Sequence, residues 1–186
     1  MTKFAALVIG LTLFPLAVGA QEPGLRIGLG DGLKARYAES RLNLMEQAEK
    51  MPEQAYAFRP TPAVRTFAQV LAHAADTQML ACANLRGVPN PAADRNLEQE
   101  LRSKTEVVRA LADSFALCDE VFAATTDENA VQFVRQGGVQ MPRASVLYFL
   151  LGHNAEMYGV GTVYLRLNNL VPPSTERENA RRRRPR

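Results

Sequence analysis

Prolines divide most of this chain into four long stretches with helical spacing, and that division constrains the fold more than any other feature. Those within the body of the chain stand at 52, 60 and 62, at 89 and 91, at 142, and at 172 and 173. A proline lacks a backbone donor and biases the residue before it away from the helical region, so each cluster closes a helix and marks a connection. Between the clusters, apolar residues recur at three- and four-residue intervals. Over 33–51 they are Leu33, Tyr37, Leu44, Ala48 and Met51. The second helix opens at Thr66, which forms a capping box with Gln69, and closes near Gly87. Its apolar face holds Phe67, Val70, Leu71, Ala74, Ala81, Cys82 and Leu85. A third helix is predicted over 96–124, with Leu97, Leu101, Val108, Leu111, Phe115 and Phe122 on one side; Gly137, Gly138 and Pro142 follow it. The fourth, over 142–168, carries Val146, Leu150, His153, Met157, Tyr164 and Leu167 within a narrow arc. No segment alternates convincingly, so the sequence predicts an all-α four-helix bundle with its site in the core between facing helices.

The ends differ from this body. Residues 1–20 have the pattern of a secretory signal peptide: Lys3 as the charged region, an apolar run from Phe4 to Val18, and small residues Val18, Gly19 and Ala20 before Gln21. The run is shorter than the roughly 20 residues of a spanning helix and contains Gly10, Thr12 and Pro15, which favours a removable leader over an anchor. Export, to the periplasm if the source is bacterial, is the expectation. Residues 21–32 read as a flexible lead-in, 33–174 as the bundle, and 175–186 as a basic, disordered tail. The net charge of +3 comes from the ends, because without Lys3 and the arginines at 181–184 and 186 acidic residues outnumber basic ones. Such a body offers no face for nucleic acid. The arginine tail is expected to stay solvated, with weak contact to an anionic membrane surface as the alternative.

Cys82 and Cys118 would meet an oxidising compartment after export. If short links make the second and third helices antiparallel, however, Cys82 lies at their shared turn and Cys118 more than twenty residues along the third. At about 1.5 Å per residue that distance far exceeds the roughly 7 Å a disulfide spans, so two free thiols are expected.

The chain has only two histidines. His153 falls in the apolar arc of the fourth helix, where an imidazole needs a hydrogen-bond partner or a metal to offset desolvation. His73 lies at the edge of the second helix's face, with Asp76 one turn away as a carboxylate able to orient it. Two structural histidines and two ligands of one ion are both consistent with these positions. Tyr158 and Gly159, further along the fourth helix, read equally as a pocket mouth or as a close helix contact.

The segments Met51-Pro52-Glu53, Phe58-Arg59-Pro60-Thr61-Pro62, His73-Ala74-Ala75-Asp76 and His153-Asn154-Ala155-Glu156-Met157-Tyr158-Gly159, continuing through Tyr164-Leu165-Arg166-Leu167 to Val171-Pro172-Pro173-Ser174, resemble the DinB-like superfamily in order along nearly the whole body. The resemblance implies a four-helix bundle in which one histidine of helix two and a pair at i, i+4 on helix four hold a divalent ion, often zinc or nickel. Some relatives are thiol-dependent transferases or isomerases, and many have no known reaction. His73 matches the helix-two ligand and His153 the first of the pair. Met157 stands where the pattern has the second histidine, and a thioether suits Cu(I) better than zinc or nickel.

Two functional classes follow. One is an exported bundle with a degenerate metal site, binding a small molecule or no cofactor at all. The other is a metal-dependent transferase or hydrolase in which an ion on His73 and His153, with Met157 as a ligand if the ion is copper, activates a thiol or water. Whether the chain is an enzyme is left open, and a homodimer is compatible with either class.

Overall fold

The structure, a computed structural model, describes residue 24 and residues 26–184. The predicted leader, residues 1–20, lies outside the described residues.

Four long helices form the bundle: α1 (Leu29–Lys50), α2 (Phe67–Arg86), α4 (Lys104–Ala123) and α6 (Arg143–Leu167). A single 3-10 turn at Glu53–Ala55, short helices α3 (Leu97–Glu100) and α5 (Asp127–Ala130), a hairpin of β1 (Phe133–Gln136) and β2 (Val139–Pro142), and a final helix α7 (Pro173–Arg182) complete the described chain. The apolar residues predicted for the first helix, Leu33, Tyr37, Leu44, Ala48 and Met51, are all buried. Thr66 and Gln69 form the expected capping box at the start of α2, and Gly87, at φ +69°, ends that helix in the left-handed conformation.

Helix direction follows from named contacts. The Tyr56 hydroxyl donates to the Ala48 carbonyl and Tyr56 packs edge-on against Phe67, so α2 starts where α1 ends. Lys104 Nζ donates to the Met51 carbonyl at 3.1 Å, while Tyr37 stacks on Phe122 at 4.0 Å, which makes α4 antiparallel to α1. Gln47 donates to the Tyr158 carbonyl and Tyr164 donates to the Arg65 carbonyl, so α6 is parallel to α1 and antiparallel to α2. Helices α2 and α4 are therefore parallel neighbours. Residues 87–103, including α3, carry the chain back along the length of α2, which at about 1.5 Å per residue is about 30 Å.

This crossover corrects the cysteine expectation. Cys82 and Cys118, both fully buried, are joined in a disulfide with Cα atoms 5.2 Å apart. The antiparallel assumption failed because the predicted third helix is two: Leu101 is extended, Ser103 caps a new helix with its own capping box to Glu106, and Cys118 lies well along α4 beside the C-terminal part of α2.

Three other expectations change. Gly28 is the N-cap of α1 and Asp127 Oδ1 accepts from the Gly30 N–H at 2.7 Å, so the helix starts within the predicted lead-in. Gly137 and Gly138 form a two-residue turn with φ of +54° and +83°, which glycine adopts freely, and they join two strands the sequence reading did not expect. A helix runs from Pro173 to Arg182 and so takes in most of the 175–186 segment predicted as a disordered tail, tied to α1 by Lys50 to Glu176 at 2.6 Å and by Arg177 to Glu46 and Asn43. No helix among the described residues is long and apolar enough to cross a membrane.

Candidate functional site between two antiparallel helices

Because α2 and α6 run antiparallel, His73 and His153 meet midway along their contact. Their ring centroids lie 4.9 Å apart at an interplanar angle of 63°. Phe149, one turn before His153, stacks against that imidazole at 6.0 Å. Both predicted site histidines are thus brought together, each only partly buried.

The carboxylate on His73 is not the one the sequence suggested. Glu98, on α3, lies 3.2 Å from His73 Nδ1 and accepts from Arg65 Nε at 3.0 Å. Arg65 is held in turn by its carbonyl, which accepts from the Tyr164 hydroxyl at 2.6 Å. Asp76 stays one turn along α2; burial raises its carboxyl above the usual range, and His73 opposes the shift. Glu98 escaped the sequence reading because it stands 25 residues beyond His73, within a segment read as the start of one long helix; the N-cap Asn96, which isolates the short turn of α3, was the available signal.

His153 differs from His73 in having no such partner. Its Nδ1 is buried and makes no hydrogen bond. Burial pushes its pKa below the ordinary 6.5, the electrostatic influence of the neighbouring His73 adds to that, and Glu156 pulls the other way. A neutral imidazole is therefore favoured at physiological pH. Met157 follows one turn later at 5% exposure, packed in the core cluster.

Two imidazoles bound through nitrogen to one tetrahedral ion, with bonds near 2 Å, bring their centroids to about 5 Å of each other. The His73–His153 spacing fits two of the donors such an ion needs. The third is missing: a thioether occupies the next position on α6, and Glu98 is engaged by Arg65 and His73. Among the described residues no three His, Cys, Asp or Glu side chains converge to hold a metal ion. The donor set therefore does not fit a three-nitrogen zinc or nickel site.

One turn beyond His153 a cavity of about 580 Å³ opens, lined by Pro60, Val64, Arg65, Val70, Met157 and Tyr164 among others. It lies within the 300–1,000 Å³ range of small-molecule pockets. Its walls are mostly apolar, and the charge of Arg65 is answered by Glu98.

Residues 36–159 match the model of the DinB superfamily. Among solved structures, the chain is similar to a DinB-like protein from Bacillus cereus at 16% identity and TM-score 0.64, with 76% of this chain and 94% of that one covered. A conserved protein from Enterococcus faecalis aligns at 13% identity and TM-score 0.62, covering 76% of this chain and 98% of that one. A DinB-like protein from Bacillus subtilis gives 14% identity and TM-score 0.57, over 74% and 92% respectively. At these identities the likeness establishes the fold. No curated protein is significantly similar to the chain.

Proposed function

The chain belongs to the DinB superfamily, and we propose that it is an exported member whose metal site has degenerated, leaving a pocket beside His73 and His153 that binds a small, mostly apolar molecule. The observation that carries this reading is the donor set. Met157 replaces the nitrogen that would complete the site, and the nearest carboxylate, Glu98, is committed to Arg65 and His73. The neighbouring cavity supplies the volume and apolar walls for a ligand. Export is supported by the leader pattern of residues 1–20 and by the Cys82–Cys118 bridge, since structural disulfides belong chiefly to oxidising compartments.

A second reading, a metal-dependent and thiol-dependent transferase or hydrolase using His73 and His153 as ligands, is favoured by the spacing of the two rings and by the unpartnered Nδ1 of His153. Titration calorimetry with zinc, nickel and Cu(I) separates the two. Affinities no tighter than about 1 μM for each ion support the degenerate site. Tight, stoichiometric binding that His153→Ala abolishes supports the transferase.

A further inference from the structure

On the far side of α6 a second cavity, of about 520 Å³, lies between that helix and α1. Its apolar walls come from Leu29, Leu33, Leu151 and Tyr158. Asn154 lines it too and is fully buried, yet neither its amide oxygen nor its amide nitrogen has a hydrogen-bond partner. Across from it, the buried Ser40 Oγ of α1 is also unpartnered. Buried amides and hydroxyls in folded proteins are almost always satisfied, so two unpaired groups buried just behind the wall of one cavity point to a partner from outside the chain. At the rim, Arg36 and Glu39 pair with each other at 3.0 Å and are exposed, leaving no uncompensated charge to attract an ion.

We propose that this cleft is a second ligand site, independent of the His73–His153 pocket, that takes an uncharged amphiphile bearing a primary or secondary carboxamide. The apolar body of the ligand lies against Leu29, Leu33 and Leu151. With the Asn154 amide turned from its buried position into the cleft, the ligand's carbonyl accepts from Asn154 Nδ2 and its N–H donates to Asn154 Oδ1, the reciprocal pairing that two amides make, with Ser40 supplying a further hydroxyl when it turns likewise. A carboxylate head would enter without a cation to meet it, and a purely apolar ligand would leave the amide of Asn154 unpaired. Although Asn154 is adjacent to His153 in sequence, one residue turns a helix by about 100°, which places the two side chains on different faces of α6.

Octanamide is the probe, titrated into the full purified chain by calorimetry, with octanoate and N,N-dimethyloctanamide as comparisons. Saturable binding of octanamide is expected, weakened roughly tenfold or more by Asn154→Leu, because the variant cannot make the paired hydrogen bonds. Gly152 lines the cavity, and a Cβ at that position meets nothing within 4 Å, so Gly152→Phe should be tolerated, checked by its circular dichroism and thermal unfolding, and should abolish binding by occupying the cleft, whether or not Asn154→Leu is well behaved. Methyl chemical shifts should move at Leu33 and Leu151 and stay fixed at Met157. Absent binding, octanoate binding as tightly as octanamide, undiminished affinity in Gly152→Phe, or shifts centred on Met157 would each overturn the proposal.

Discussion

His73 and His153 face each other edge-on with centroids 4.9 Å apart, but only His73 has a carboxylate on its ring. That asymmetry decides how the site responds to acid. His153 is held below its ordinary 6.5 chiefly by burial, so the unfolded chain binds its proton more readily than the folded one. Stability should be complete above pH 6.5 and fall as pH drops through the folded value. Asp76, raised by burial, acts in the opposite sense at lower pH, where protonation favours the folded chain. Urea unfolding between about pH 7 and about pH 5.5 should show the decline, and His153→Leu should flatten it. An unchanged slope in the variant would assign the acid sensitivity elsewhere.

Glu98 ties α3 to both α2 and the segment before it. Its side chain is 20% exposed and engages Arg65 and His73, so Glu98→Ala should cost about 1 kcal/mol, discounted from a buried charged pair because solvent reaches the cluster. Double-mutant cycles with Arg65→Met check that the loss belongs to this contact, and additivity of the two substitutions would show that it does not.

The Cys82–Cys118 bridge closes a loop with a sequence separation of 36, for which chain entropy gives about 3–4 kcal/mol. Denaturant midpoints of the oxidised protein and of Cys82→Ala/Cys118→Ala should differ accordingly. Because both sulfurs are fully buried, the native protein should also resist reductants that reduce the unfolded chain quickly.

Two glycines on α6 should respond with opposite signs. A Cβ on Gly161 would overlap the side-chain amide of Gln47, which is fully buried and donates to the Tyr158 carbonyl, whereas one on Gly159 meets nothing within 4 Å. Gly161→Ala should destabilise by about 1–3 kcal/mol through overpacking. Gly159→Ala should stabilise by about 0.5–1 kcal/mol, the helical difference between alanine and glycine. Thermal unfolding of the two variants reads both signs.

These residues also mark what could be read from the sequence. Helical spacing and proline placement located α1, α2 and α6, and the predicted face of α1 is buried, as is that of α2 apart from the half-buried Leu85, although α2 also buries Ala72, Ala75 and Met79, because periodicity is set by local spacing and not by how many neighbours a helix has. On α6 the predicted Val146, Leu150, Met157 and Tyr164 are buried, but Leu147, Asn154, Gly161 and Leu165 are inside as well, and Leu167 is exposed. A helix packed on both α1 and α2 is apolar around much of its circumference, so its periodicity fixes no single face. The parallel packing of α2 and α4, and with it the disulfide, depends on where the 87–103 link runs, which no residue pattern states. His73 and His153 were identifiable because imidazoles are scarce here. Glu98 and Asn154 were not, since one is a common surface residue and the other owes its interest to partners it lacks.

The central claim, that Met157 is what separates this site from a metal centre, is tested most directly by elemental analysis of the purified chain beside Met157→His, both without a histidine tag. The degenerate-site account predicts little zinc, nickel or copper in the parent and a stoichiometric divalent ion in the variant, which restores the missing nitrogen next to His73 and His153. Stoichiometric metal in the parent, lost in His153→Ala, would contradict the account and make the chain a metal-dependent member of its superfamily.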